Sequence, residues 1–376
     1  MKTELDTILI KVASRCNINC SYCYVYNMGD DNWSHMEKLI SSDTINAICE
    51  AIVQLIKYQS RKFSIVLHGG EPLLLGVSKL DHLLTQLRNI LSCEYPISIQ
   101  TNGILISNQI LDVCAAHKVS VAVSIDGPKD VHNKYRINHK GDGTFEDVLN
   151  GIAILKTHKD SEFLNAGLLA VVDPLSNPKE IYNFFKSIAP PSVDFLYKDG
   201  NHTNLPINKS ATNSTEYGVW MTGLLKEYLN DTSPLPIRVL DDMIKVMLGG
   251  DVSKEGLGLT DFGIIIIDTD GTIMKNDTLK STYNGADKFS KPINIRENNL
   301  IEFLNSGDYA EYREMQRPTN HKCKTCAHLH LCGGGMILHR WSKENQFNNP
   351  SVYCSDQLLL IENMIEELAN FNIVYE

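Results

Sequence analysis

Ten cysteines are spread unevenly along the 376 residues. Three of them, Cys16, Cys20 and Cys23, stand within eight positions in the run CNINCSYC. Four more, Cys323, Cys326, Cys332 and Cys354, follow the spacing C-x2-C-x5-C-x21-C. Cys49, Cys93 and Cys114 stand alone and read as small buried hydrophobes. Three thiolates can hold three irons of a four-iron cluster and leave the fourth open to a small chelating molecule. Three sulfurs with a histidine or water also satisfy zinc. Four thiolates close a four-iron cluster completely or saturate a structural zinc. Spacing alone favours a cluster for the first group and zinc for the second.

Composition narrows the partners. Hydrophobic residues make up 43% and charged residues 21%, as in an ordinary globular protein. Forty-five acidic against 35 basic residues give a net charge of −10, which offers no support for nucleic acid or an anionic membrane as partner. No run approaches the ~18 to 20 apolar residues of a membrane span; the longest aliphatic run is Ile264, Ile265, Ile266, Ile267. Lys11 interrupts the apolar start, so no signal peptide is expected, and the expected address is the cytoplasm. There thiols stay reduced, and clustered cysteines serve as metal ligands or catalytic groups rather than disulfides.

The elements that position these residues alternate. TILIKVAS, FSIVLHGGEP, PISIQTNG, VSVAVSIDGP, LNAGLLAVVDP and VDFLYKDGNH read as strands, each followed by an amphipathic stretch or a long loop. The first such stretch, SSDTINAICEAIVQLIKYQ, reads as a helix capped by Ser42 or Asp43. The alternation implies a parallel sheet with right-handed crossovers, as an open sheet or a barrel, with function at the carboxyl ends of its strands. Polar and glycine-rich clusters fall there: Cys16; His68-Gly69-Gly70-Glu71-Pro72; Gln100-Thr101-Asn102-Gly103; and Ser124-Ile125-Asp126-Gly127. The style changes after SPLP, and DFGIIIIDTDGTIMKNDTL reads as a β-hairpin with a DG turn. Domains are expected over 1–235 and 236–376.

The set C-x3-C-x-aromatic-C after a first strand, with GGEP after the second, resembles the radical S-adenosylmethionine (radical SAM) superfamily. The resemblance implies an α/β fold, a partial (β/α)6 TIM-like barrel. It also implies a [4Fe–4S] cluster on Cys16, Cys20 and Cys23 whose open iron chelates the methionine end of S-adenosylmethionine. Gly69, Gly70 and Glu71 would meet its amino group, Ser124 its ribose and Arg136 its carboxylate, with Gln100 in the same pocket. An electron donor such as flavodoxin or ferredoxin is implied as well.

The second cysteine group, with CGGG, resembles the SPASM/twitch extension of peptide-modifying members. It implies a smaller loop-rich iron–sulfur domain carrying the hairpin. A full SPASM domain binds two auxiliary clusters, but Met336 stands where a further cysteine is usual, and no cysteine lies between Cys114 and Cys323. One auxiliary [4Fe–4S] cluster, fully ligated by Cys323, Cys326, Cys332 and Cys354, is expected. In sulfatase-maturing relatives a hairpin cysteine is followed by an acidic base. Alignment on the DG turn puts Asn276 and Asp277 there, making Asp277 the candidate base, with Asp268 and Asp270 as alternatives.

TDGTIMKNDTLKSTYNGA, CGGGMILHRW and NQFNNPSVYC are similar to the FxsB-type branch, which includes enzymes that form three-residue cyclophanes in ribosomal peptides. The resemblance implies a carbon–carbon crosslink between an aromatic ring and the β-carbon of a nearby residue in a precursor peptide. Formylglycine formation, thioether formation and epimerisation are the alternatives within the superfamily, and a zinc-binding scaffold is the non-enzymatic one. The barrel begins near the first residue, so the precursor peptide is expected to be recognised through the barrel mouth, the C-terminal domain or a separate leader-recognition protein. His339, Arg340 and Trp341 read as packing for the cluster loop, with the peptide path as their alternative.

Overall fold

The computed structural model describes residues 3–252 and 254–370. Its strands are β1 Thr7–Ala13, β2 Ser64–Gly69, β3 Ile97–Thr101, β4 Val119–Ser124, β5 Asn165–Val171, β6 Val193–Leu196, β7 Ile264–Ile267 and β8 Ile273–Met274. They lie in one sheet in the order β6-β5-β4-β3-β2-β1-β7-β8. This is the α/β architecture of a partial barrel, with β1 to β6 where the alternation places them.

Compact packing groups the described residues of 3–125, 132–168 and 263–312 in one unit, and those of 126–131, 169–262 and 313–370 in a second. In the first unit β1, β2, β3 and β4 pair in parallel, each with the next. The helices Ser42–Tyr58, Gly76–Ile90 and Asn108–Ala116 connect them. Each helix buries a stripe, such as Ile45, Ile48, Ile52 and Leu55, or Leu80, Leu83, Leu84 and Leu87. The first helix is capped one residue earlier than expected. Ser41 is extended and accepts from the Thr44 amide, while Asp43 sits in the first turn, where its charge meets the helix dipole.

The hairpin belongs to this unit. β7 runs parallel to β1, Thr7 opposite Ile264 and Ile10 opposite Ile267, and β8 returns antiparallel. All four β7 isoleucines are buried, as expected of a strand covered on both faces. A register shift between Lys11 and Ala13 bends the end of β1 just before Cys16.

The second unit holds the helices Pro178–Ile188, Glu216–Asn230, Arg238–Met247 and the 17-residue Cys354–Asn370. The last packs closely on Glu216–Asn230. The Gly218 amide donates to Asp356 Oδ1 at 2.7 Å, and a Cβ at Gly218 would stand 2.7 Å from the Asp356 Cα. Asp356 also forms a fully buried ion pair with Lys209 at 2.5 Å. No helix among the described residues is long and apolar enough to cross a membrane.

Candidate functional site

The cysteine loop of the first unit is fastened on two sides. On one side Asn19 and Ser21 donate their amides to the carbonyls of Ile137 and Tyr135, which brackets Arg136. His139 Nε2 donates to the Cys16 carbonyl at 2.9 Å. On the other side the glycine turn after β2 lies against the loop. The Gly70 amide donates to Ala13 O at 2.8 Å and the Glu71 amide to Arg15 O at 2.9 Å. Nothing larger than glycine fits: a Cβ at Gly69 would be 2.1 Å from Ala13 O, and one at Gly70 would be 2.0 Å from Tyr26 Oη and 2.3 Å from Arg15 O. Gly69 also has φ +136°, a region L side chains rarely enter.

Within the loop the Cys23 amide donates to Cys20 O, and the Tyr26 and Asn27 amides donate to Cys23 O, forming a tight turn that carries the last two thiols. Burial pushes the Cys16 thiol up to about 12 and the Cys23 thiol up to about 11, and neighbouring thiols of the trio add to both. Such thiols ionise only when a cation supplies the compensating charge, as a metal centre does. Among the described residues no three His, Cys, Asp or Glu side chains converge as ligands of one ion would. Thiolates bound to separate corners of a cluster need no such convergence. The trio, with its glycine cradle, fits an iron–sulfur cluster.

The polar ends of β2, β3 and β4 form a connected set. Glu71 is buried and accepts from the Leu73 amide, Thr101 Oγ1 and the Asn102 amide at 2.7–2.9 Å. Burial raises its carboxyl, and these donors, with the Arg136 guanidinium, oppose that shift. Gln100 Nε2 donates to Ser124 Oγ at 2.9 Å, joining two neighbouring strand ends. Asn102 Nδ2 donates to Asn17 Oδ1 at 2.7 Å and lies 3.8 Å from Cys16 Sγ. Arg136 is buried, with its guanidinium 5.9 Å from the Tyr22 ring. Gly69, Gly70, Glu71, Gln100, Ser124 and Arg136 thus gather in the unit that holds the three thiols.

Asp277 lies in that unit too, at the start of a 3₁₀ turn, Asp277–Ser281, just beyond β8. It is 2% exposed. Its Oδ1 accepts from Tyr24 Oη at 3.2 Å. Its Oδ2 stands 2.8 Å from Lys11 Nζ as an ion pair and accepts no hydrogen bond of good geometry. Burial would push the carboxyl up, but the Lys11, His68 and Lys280 side chains hold it below the ordinary aspartate value. Lys11 in turn lies 3.7 Å from Asp268. Asp270 bonds the Thr272 amide and hydroxyl, as its place in the DG turn demands. Lys11 is the main residue that the sequence reading missed as part of a site. Its signal was a lone charge inside the apolar strand TILIKVAS.

In the second unit the four remaining thiols influence one another, and burial pushes Cys332 up to about 12. Gly333, Gly334 and Gly335 all have positive φ, and a Cβ at Gly333 would be 2.3 Å from Gly258 O. This turn lets the chain double back directly after Cys332. Arg340 is 1% exposed and donates to the carbonyls of Met315 and Gln316. His339 stacks edge-on to Tyr353 at 4.8 Å. Both pack the cysteine region, and the Trp341 carbonyl accepts from the His202 amide.

Residues 10–186 match the family model of the Radical SAM superfamily. A cysteine-type anaerobic sulfatase-maturating enzyme of Clostridium perfringens is 24% identical over 97% of both chains. Native anSMEcpe with bound AdoMet shares the fold at TM-score 0.82, 22% identity, over 98% of this chain and 100% of that one; it has also been solved with the Cp18Cys peptide. Streptococcus suis SuiB bound to its precursor peptide SuiA aligns at TM-score 0.61, 14% identity, over 89% of this chain and 72% of that one. The thiol trio and its glycine cradle both lie inside the segment that matches the Radical SAM superfamily model.

Proposed function

We propose that the protein oxidises a side chain of a peptide at its β-carbon, with Asp277 as proton acceptor. Bound together, a cluster on Cys16, Cys20 and Cys23 and S-adenosylmethionine supply a 5′-deoxyadenosyl radical able to remove an unactivated hydrogen. Gly69, Gly70 and Glu71 hold the amino group of S-adenosylmethionine, Arg136 its carboxylate, and Gln100 and Ser124 its ribose side. A guanidinium fork suits the carboxylate. Cys323, Cys326, Cys332 and Cys354 would hold an auxiliary cluster, which would supply an electron acceptor.

One observation carries the reading: a buried carboxylate, Asp277, held by the Lys11 ammonium at 2.8 Å, stands in the same unit as the thiol trio. Removing a substrate proton requires such a base in its charged form. The full-length likeness to a sulfatase-maturating enzyme supports conversion of a Cys or Ser side chain to formylglycine. A carbon–carbon crosslink of the cyclophane kind is the second reading. It is favoured by Asn276 and Met336 at positions where cysteines of an inner cluster are expected, and by the fold shared with SuiB.

Mass spectrometry of peptides treated with the reconstituted enzyme separates these outcomes. A Cys product gives up its sulfur, a Ser product loses two hydrogens, and both bind hydrazine as aldehydes. A crosslink loses two hydrogens, ignores hydrazine and resists proteolysis. Asp277→Asn is expected to stop product while sparing cleavage of S-adenosylmethionine. Full product yield from that variant removes Asp277 from the scheme.

A further inference from the structure

Three charged side chains from three separate elements meet in the first unit. Lys11 comes from the middle of β1, Asp268 from the turn after β7, and Asp277 from the segment after β8. Lys11 Nζ lies 2.8 Å from Asp277 Oδ2 and 3.7 Å from Asp268 Oδ2. All three are nearly closed to solvent, at 4%, 6% and 2% exposure. Two carboxylates and one ammonium leave this buried group with one uncompensated negative charge.

We propose that Lys11 is a positioning residue that keeps Asp277 ionised and aimed, and that Asp268, by sharing Lys11, sets how readily Asp277 takes a proton. The inference rests on Asp277 being the proton acceptor. A carboxylate held by a lysine alone is charged but a poor base. A second carboxylate on the same lysine restores proton affinity, because proton uptake then brings the group to neutrality. Other charged or titratable neighbours also face the group. His68 comes from β2, with a buried Nδ1 that makes no hydrogen bond. Tyr24 comes from the cysteine loop, and Lys280, from the 3₁₀ turn, is itself paired with Asp287 at 2.8 Å and Asp30 at 3.5 Å. Asp287 acts on Lys11 from farther off. Burial holds His68 below its usual range, with the Asp277 charge opposing that shift and the Lys11 charge adding to it.

Removing the lysine leaves two buried carboxylates, 2.8 and 3.7 Å from the vacated ammonium position, without their shared cation, and such a pair holds one proton between them into the neutral range. Lys11→Met is therefore expected to create an acid limb in the rate of peptide modification between about pH 6 and 8, where the wild type is flat. The same holoenzyme should show a protonated-carboxyl infrared band that titrates with that limb and that the wild type lacks. Adding Asp268→Asn to Lys11→Met should move both limb and band down by about one pH unit or more, because the like charge is gone. Lys11→Arg should restore the flat profile. Lys11→Gln replaces the methionine variant if that one loses its iron.

A flat Lys11→Met profile with no carboxyl band overturns the proposal. So does a limb that Asp268→Asn leaves in place. Full product from Asp277→Asn would instead overturn the assignment of the base, so the two failures are distinguishable.

Discussion

Replacing Gly70 with alanine tests how the glycine turn fixes the thiol trio. The new Cβ would sit 2.3 Å from Arg15 O and 2.4 Å from Arg15 C, both backbone atoms, and 2.0 Å from Tyr26 Oη. Tyr26 can rotate, but the Arg15 peptide must retreat by about 1 Å to reach ordinary contact. That peptide accepts the Glu71 amide and immediately precedes Cys16, so the movement breaks a hydrogen bond and displaces the first thiol. Overpacking of this kind costs about 1–3 kcal/mol, and a backbone obstacle puts the cost at the upper end. Gly307→Ala is the control: its Cβ meets nothing within 4 Å, and the residue opens the helix Gly307–Met315. Denaturant unfolding and iron analysis of the two variants side by side form the assay. Gly70→Ala should lose stability and first-site iron, while Gly307→Ala keeps both. A Gly70→Ala protein with wild-type iron and stability refutes the argument that the turn has no room.

Arg340→Leu should cost about 1–3 kcal/mol in denaturant unfolding for each carbonyl, Met315 and Gln316, that loses its shared donor, Nη2. Burial, with Arg340 beside it, holds His339 down at about 3, against about 6.5 in an unfolded chain. The unfolded chain therefore binds the extra proton first, so this residue's contribution is complete above about pH 6.5 and is lost as pH falls towards 3. Going from pH 7 to pH 5 should cost wild type about 2 kcal/mol more than His339→Gln in denaturant unfolding, and parallel pH slopes would contradict this. The Cys332→Ser, Cys354→Ser pair should lower iron content and abolish peptide product, yet leave 5′-deoxyadenosine formation in place; loss of that formation would tie the two cysteine groups to one function.

Much of the site was legible because its signals are local. The thiol trio, GGEP and SIDGP are short runs at strand ends, and period-two and period-3.6 patterns place the strands and helices around them. The Lys11–Asp277 pair was not legible. It depends on β7 lying beside β1, and parallel pairing between strands so far apart in the chain leaves no mark in either one. Asp277 was reached only through its distance from the DG turn, and Lys11 was read only as a break in an apolar run. The cap at Ser41 was missed by one residue because three candidate caps, Ser41, Ser42 and Asp43, stand in a row. The helix Cys354–Asn370 carries a readable stripe of Leu360, Ile361, Met364 and Leu368, and its first residue also belongs to the cysteine motif.

The most direct measurement is 5′-deoxyadenosine release from S-adenosylmethionine by anaerobically reconstituted, reduced protein. Wild type should release it, and the variant with Cys16, Cys20 and Cys23 all changed to alanine should release none while keeping second-site iron. Iron-replete wild type that leaves S-adenosylmethionine intact would contradict the account.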